Sequence, residues 1–304
     1  MDSSRQMYGW HINAKEGNLS GRKHSMVELF GYLAIYLSAG ISVLLLVGII
    51  AYVFIRGYKC ISISFLTTVT SALKGTTGIA GNIVNTLYII GLTLLFSVPL
   101  GIGSAIYLNE YAKRGRMVQI IEFTTQTLSG IPSIIFGLFG MVFFGTTLKL
   151  GYSILTGALT LSIMVLPLIS KNTQEALRTV PDSYRNGALG IGATRWYMIR
   201  TIILPSAMPG IITGVILAVG RIVGESAALL FTAGSGYTLP KSLAGYFSKA
   251  LESGGTLTIQ LYLSMSKGQY DVAFGIAVVL LLVLFIVNLL TKMLAKKFDV
   301  NRER

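Results

Sequence analysis

The sequence predicts an all-α integral membrane protein with six transmembrane helices, and three observations support this fold class. Only 12% of the 304 residues are charged, whereas a soluble domain carries about 25% charged residues. Hydrophobic residues make up 53% of the chain, and the mean hydropathy is +0.68. Apolar runs of about 20 residues, the length that crosses the hydrocarbon core of a bilayer, recur along the chain.

The predicted spans alternate with polar connecting segments. The first span contains no charged residue, and the second to fifth each contain a proline. Proline is tolerated in membrane helices where neighbouring groups satisfy the freed backbone, and the 34 glycines predict close packing between helices. The six spans cover residues 30–55, 83–108, 118–144, 152–170, 206–231 and 270–291.

The distribution of Lys and Arg predicts which connections are cytoplasmic. Segments 1–29, 109–117, 171–205 and 292–304 together carry 17 Lys and Arg. The alternate segments 56–82, 145–151 and 232–269 carry 7. Because positive residues accumulate on the cytoplasmic side, both termini are predicted to lie there. The predicted organisation is a cytoplasmic tail 1–29, a six-helix domain 30–293 with a cytoplasmic loop 171–205, and a cytoplasmic tail 294–304.

Composition and missing motifs exclude several classes of function. The net charge of +13 is spread between apolar runs, which indicates anchoring at a membrane surface rather than nucleic-acid binding. The single cysteine, Cys60, excludes an intrachain disulfide, and both histidines lie in the amino-terminal tail. No GxxxxGK[ST] or HExxH motif occurs. We therefore expect no enzyme activity and no cofactor in this chain, so active transport would need an ion gradient or another polypeptide.

The 171–205 loop is predicted to fold into a compact knob outside the membrane. Pro181 and Asp182 suit the first turn of a short helix over 182–189, where Asp182 can accept free backbone N–H groups. Gly190 and Gly192 allow a sharp turn, after which Thr194 can cap a second helix that runs to Pro205. A folded knob at the membrane surface suits either an ordered connection or a docking site for a soluble partner.

Two charges lie inside the fifth predicted span. Arg221 is roughly 15 Å from the outer end of the run at 1.5 Å per residue, and Glu225 follows four residues later, on the same face of a continuous helix. The pair would either neutralise itself and lock neighbouring helices or line a polar path in which Arg221 meets an anionic substrate. Lys171, Arg178 and Arg185 would either lower the electrostatic barrier at the cytoplasmic exit or simply anchor the loop.

The spacing within the knob resembles a known family. Nine residues separate Gly192 from Ile202, and Leu204 and Pro205 complete a G-x9-I-x-L-P pattern that is similar to the EAA loop of type I ABC import permeases. The family's Glu-Ala-Ala triplet is Asn-Gly-Ala here, without the acidic residue. The resemblance implies a MetI-like permease fold whose loop docks on a cytoplasmic ATPase. It assigns this docking to Asn186, Gly187, Ala188, Gly192, Ile202, Leu204 and Pro205.

Five stretches resemble the phosphate-specific permeases of the PstA type in particular: 97–112, 128–140, 174–196, 203–221 and 224–234. This resemblance implies a bacterial or archaeal plasma-membrane subunit that imports phosphate along a path lined by Arg221, Glu225 and Lys171. Lys171 stands where related permeases often have Arg.

The implied partners are a homologous permease subunit of the PstC type, two cytoplasmic ATPase subunits of the PstB type and an extracytoplasmic phosphate-binding protein of the PstS type. ATP and Mg would be bound by the ATPase subunits. Two alternatives remain open at this point. One is an ABC permease for another oxyanion or small solute, such as sulfate, molybdate or an amino acid. The other is a secondary transporter, which would need no ATPase.

Overall fold

The computed structural model describes residues 26–71, 76–113, 115–239, 245 and 248–298. The predicted amino-terminal tail therefore lies outside the described residues except for its last four positions. The chain divides into two compact units, Met1–Tyr52 and Val53–Arg304. The described part of the first unit is helical and belongs to helix α1 (Met26–Gly57), whose side chains there are almost all exposed.

Within the described residues, five helical segments are long and apolar enough to cross a membrane. They cover Glu28–Cys60, Ala80–Tyr111, Ile154–Arg178, Arg195–Gly224 and Tyr270–Met293. A bent pair of helices adds a sixth span if it is counted as one. On that count the predicted six spans are reached, with the third broken by a bend.

A short helix and a two-stranded sheet follow α1. Helix α2 (Ile63–Thr67) is capped by Ser62, whose hydroxyl accepts from the Phe65 N–H at 3.1 Å. Strands β1 (Val69–Ser71) and β2 (Thr76–Ile79) then form an antiparallel pair, and helix α3 (Ala80–Ile106) begins directly afterwards. A wider π turn over Tyr107–Tyr111 extends α3.

The core of the second unit forms around helix α6 (Ile154–Arg178). Ser153 caps this helix by accepting from the Thr156 N–H at 3.1 Å. Leu161, Val165 and Ile169 of α6 are fully buried in the core. A Cβ at Gly101 of α3 would approach the Ile169 side chain to 2.7 Å, so the glycine permits a close crossing of α3 and α6. The predicted role of glycine in helix packing is confirmed at this crossing.

The third predicted span, 118–144, is broken by a sharp bend. Helix α4 (Arg116–Gly130) and helix α5 (Ser133–Gly140, extended by a π turn over Met141–Thr147) meet at a bend of 101°. Pro132 causes the break, because it lacks an N–H and forces the preceding residue into an extended conformation. Ile131 has ψ of 132°.

The boundaries of the fourth and fifth predicted spans also change. The fourth span continues to Arg178, so the first eight residues of the predicted 171–205 loop are helical. After the short helices α7 (Asp182–Gly190) and α8 (Arg195–Met198), a π turn over Ile199–Ile203 leads without interruption into α9 (Leu204–Gly224). The helix therefore does not end at Pro205 as predicted.

Helix α9 ends before the fifth predicted span does. A break at Glu225 separates α9 from the short helix α10 (Ala227–Thr232). Helix α11 (Leu257–Ser266) and the long helix α12 (Tyr270–Phe298) complete the described chain. The predicted domain boundary at residue 293 falls inside α12, and residues 299–304 lie outside the described part of the chain.

Candidate functional site

A cavity of about 410 Å³ opens between helices α4, α5, α6 and α9. It brings together two of the three predicted path residues, Lys171 and Arg221, which are 50 positions apart in the sequence. The third, Glu225, is absent from its lining. The charged lining residues are Glu122, Lys171, Glu175, Arg178 and Arg221, and the uncharged polar ones are Thr125, Gln126, Ser129 and Gln174.

Helix α6 supplies most of the charge in this cavity because of its periodicity. Counted from Lys171, the spacing is three residues to Gln174, four to Glu175 and seven to Arg178. This spacing places all four on one helix face. Glu122 of α4 accepts from Arg178 at 3.4 Å, but the Arg178 side chain is 62% exposed and that of Glu122 is 40% exposed, so this ion pair stabilises the fold little. Three cations and two carboxylates leave the lining with a net positive charge, which suits an anion.

Arg221 lies in the last turn of α9, three residues before the helix ends at Gly224. Its guanidinium is exposed and lines the cavity. A positive side chain in this position is favoured by the negative end of the helix dipole. The guanidinium can also donate to an oxyanion that has lost part of its water shell. The structure therefore places the predicted cation at a surface that an anion can reach.

The predicted pairing of Arg221 with Glu225 is wrong. Because α9 ends at Gly224, Glu225 has an extended backbone with ψ of 125° and does not share a helix face with Arg221. Its carboxylate instead accepts from the Ala228 N–H at 3.1 Å and caps α10, while its carbonyl accepts from Thr258 Oγ1 at 3.0 Å. Among the described residues, no ion pair within 4.0 Å involves Glu225. Arg221 is therefore not neutralised by it.

The predicted knob in the 171–205 loop is confirmed in most of its local features. Helix α7 ends at a turn in which Gly192 has φ of +86°, a left-handed conformation that costs other residues roughly 1–2 kcal/mol. Thr194 then caps α8 by accepting from the Tyr197 N–H at 3.3 Å. Asp182 differs from the prediction, because it accepts from Arg185 Nη1 at 3.1 Å and not from the helix backbone.

The seven residues predicted to dock an ATPase do not lie on one exposed surface. Asn186, Gly187 and Gly192 are exposed, but Ala188 is only 4% exposed and packs inside the knob. The half-buried Ile202 and Leu204 pack against the same inner cluster, and Pro205 is half-buried as well. The buried members of the motif therefore hold the knob in shape, since interior side chains do not reach a partner.

Sequence reasoning missed an exposed apolar face on the knob. Ile191 is 87% exposed, and four other large side chains of the two short helices beside it in the chain are 45–58% exposed. An isolated exposed apolar residue is ordinary, but a cluster on a small surface marks an interaction site. The signal was available in the sequence as large apolar residues within a polar loop. The face, called the apolar knob face below, consists of Tyr184, Leu189, Ile191, Trp196 and Tyr197.

Arg185 does not line the cavity that holds Lys171 and Arg178. Its side chain is 16% exposed, and Nη2 donates to Glu110 Oε1 at 2.8 Å. The hydrogen bond with Glu110 raises the pKa of the Arg185 guanidinium, although burial acts in the opposite direction. Among the described residues, no group of three or more His, Cys, Asp or Glu is arranged to hold a metal ion.

Comparisons with known proteins identify the family. The model of the family "Binding-protein-dependent transport system inner membrane component" matches residues 97–300. The chain is 41% identical over 198 residues to the probable ABC transporter permease protein YqgI of Bacillus subtilis, covering 65% of this chain and 67% of that protein. It is 35% identical over 267 residues to a PstA homolog, a phosphate transport system permease protein, of Mycoplasma pneumoniae. That match covers 84% of this chain and 40% of the longer relative.

A solved structure shows the same fold. A chain of a bacterial alginate ABC transporter, crystallised in complex with an alginate pentasaccharide-bound periplasmic protein, superposes with a TM-score of 0.65 at 17% identity. The match covers 90% of this chain and 97% of that one. The predicted fold class, an all-α permease fold of the type I ABC importers, is confirmed by this match together with the family model.

Proposed function

Because the chain belongs to the family of binding-protein-dependent transport system inner membrane components, we propose that it is the membrane-spanning permease subunit of an ATP-driven importer of inorganic phosphate. The observation that carries this proposal is the cavity that Lys171 and Arg221 both line. The similarity to the PstA homolog, whose name states phosphate transport, supports the choice of substrate. ATP hydrolysis belongs to a separate subunit of such a system.

The charge of the cavity suits transient binding of phosphate. Lys171 and Arg221 offer N–H donors that replace part of the water shell of the anion. Glu122 and Glu175 line the same cavity and reduce its net charge, so the anion is attracted but not trapped. Glu225 contributes to the path indirectly in this proposal, because its cap on α10 maintains the break directly after the end of α9.

The apolar knob face is the proposed docking surface for the ATPase. It lies on α7, α8 and the turn between them, and it offers five large side chains that are at least 45% exposed. Asn186, Gly187 and Gly192 are exposed alongside it, whereas Ala188, Ile202, Leu204 and Pro205 maintain the shape of the knob from within or from its edge. ATP-driven movement of the ATPase would displace this knob and alternate access to the cavity.

The proposed complex contains a homologous permease subunit of the PstC type and two ATPase subunits of the PstB type, which bind ATP and Mg. An extracytoplasmic phosphate-binding protein of the PstS type delivers the substrate. The distribution of Lys and Arg supports a plasma-membrane orientation in which both termini are cytoplasmic. In that orientation, the knob faces the compartment that holds ATP.

Transport by the complete complex in liposomes tests this function. We expect uptake of radiolabelled phosphate only when ATP is present on the side of the ATPase subunits. Unlabelled arsenate, which has the same tetrahedral shape and charge, should compete, whereas sulfate and molybdate should compete weakly. Uptake without ATP would contradict the ABC mechanism. Equal competition by sulfate or molybdate would replace phosphate with a broader oxyanion substrate.

A further inference from the structure

A nearly buried ion pair joins the knob to the transmembrane helices. Arg185 lies on α7, and Glu110 lies in the π turn that extends α3. The Glu110 side chain is 5% exposed, and its Oε1 accepts from Arg185 Nη2 at 2.8 Å. Arg185 Nε donates to both carboxylate oxygens at 3.3 Å. The two residues are 75 positions apart, so this contact exists only in the folded chain.

The guanidinium of Arg185 also binds the end of α6. Its Nη2 donates to the Leu177 carbonyl at 2.8 Å, and its Nη1 donates to the Val180 carbonyl at 2.7 Å. With Asp182 accepting from Nη1 at 3.1 Å, all five N–H groups of the side chain have acceptors. Lysine has a single ammonium group and cannot reproduce this forked arrangement. One side chain therefore fastens the knob to both α3 and α6.

The helix to which Arg185 is hydrogen-bonded, α6, also lines the cavity. The Leu177 carbonyl precedes Arg178, which lines the cavity on the same helix face as Lys171. Helix α6 is continuous from Ile154 to Arg178, so a force on its last turn acts on this face. An apolar cluster that contains Leu177, Ala188 and Met198 holds the same elements together. This cluster keeps the knob folded when the polar contacts are removed.

We propose that Arg185 and Glu110 form a clamp that transmits movement of the knob to helices α3 and α6. The proposal rests on the proposed function, because it supplies the mechanical link between ATP hydrolysis and the cavity. Arg185 is a positioning residue in this role and contacts no substrate. Without the clamp, the ATPase still docks on the apolar knob face, but the knob is then attached by the apolar cluster alone and passes on less of its movement to α3 and α6.

Variants that remove one charge at a time test the clamp in the complete reconstituted complex. Glu110→Gln preserves the size of the side chain, and Arg185→Gln removes the forked donor. We expect each variant to retain the ATPase subunits and ATP hydrolysis, while the phosphate imported per ATP falls about tenfold, within the range of coupling energies between sites. The double variant should be no worse than the poorer single variant, because both remove the same link.

Lys292→Gln is the control, since it removes an exposed positive charge from α12, outside the knob and the cavity. It should leave the ratio of phosphate to ATP unchanged. An unchanged ratio in both Glu110→Gln and Arg185→Gln would overturn the proposal. A fall in uptake that merely follows loss of the ATPase subunits would also overturn it, because the pair would then serve docking or folding alone.

A distance measurement distinguishes an incorrect clamp proposal from an incorrect assignment of phosphate as the substrate. Spin labels at Ser183→Cys and Lys113→Cys, in a Cys60→Ser background, report the separation of α7 from the end of α3. With the clamp intact, the distance distribution should be the same with and without ATP. In Glu110→Gln, ATP should add a second distance. An unchanged distribution in this variant overturns the clamp, whereas a wild-type complex that imports no phosphate overturns only the substrate.

Discussion

Arg221 is the residue on which the proposed substrate chemistry depends most directly. It reaches the cavity because it lies in the last turn of α9, and its charge is not cancelled by Glu225. Lys171 provides a second cation from α6. A charge inside a predicted span is costly, which is the reason for proposing a binding role for this one.

We predict that Arg221→Gln lowers phosphate uptake by at least about tenfold, because a hydrogen bond to a charged group contributes about 1.5–3 kcal/mol. The measurement is ATP-dependent phosphate uptake in liposomes, with assembly checked by co-purification of the ATPase. Arg221→Lys should keep part of the uptake, since it preserves the charge but loses the planar donor. Normal transport by Arg221→Gln would exclude a role in the path.

At the scale of elements, the knob has a packed apolar interior and exposed apolar side chains on its outside. Ala188 and Met198 pack in its interior, and Gly192 provides the left-handed turn between α7 and α8. The apolar knob face remains exposed, with Ile191 at its most accessible point. Exposing these apolar side chains to water is unfavourable in free energy, and a docked partner that buries them removes this penalty.

We predict that Ile191→Asp reduces co-purification of the ATPase subunits without unfolding the permease, because the side chain contributes to the face but not to the core. Ile63→Asp provides a matched control, since Ile63 is 83% exposed on α2, in a segment predicted to be extracytoplasmic. It should leave ATPase binding unchanged. Equal loss of the ATPase in both variants would indicate general instability and contradict docking at Ile191.

At the scale of the whole molecule, the second unit depends on close crossings with α6. At the crossing with α3, Gly101 leaves no room for a side chain, because a Cβ there would lie 2.7 Å from the Ile169 side chain. Two residues further along α3, a Cβ at Gly103 would meet no atom within 4 Å. The two positions therefore separate the effect of packing from that of glycine itself.

We predict that Gly101→Leu destabilises the protein by about 1–3 kcal/mol, the usual cost of overfilling a packed site. Gly103→Leu should have little effect or stabilise α3 slightly, because leucine favours a helix more than glycine does. Thermal unfolding of the two variants in the same detergent measures the difference. A melting temperature lowered equally in both would show that close packing of α3 on α6 is not the reason for Gly101.

The sequence by itself determined the features that depend on local chemistry. Six apolar segments could be located because hydrophobicity and span length are properties of short stretches. The turn at Gly192 and the cap at Thr194 could be located because backbone conformation and capping act between near neighbours. The family resemblance rested on the same knob, and the family match confirmed it.

The tertiary structure decided which distant residues meet. Periodicity assigned Glu225 to the face of Arg221, but the helix ended one residue too early for that pairing. The cavity needs the bend at Pro132 to bring α4 and α5 against α6, and the clamp needs contact between residues 110 and 185. Such contacts depend on how burial and charge are balanced across the whole fold, and no local pattern in the chain contains that balance.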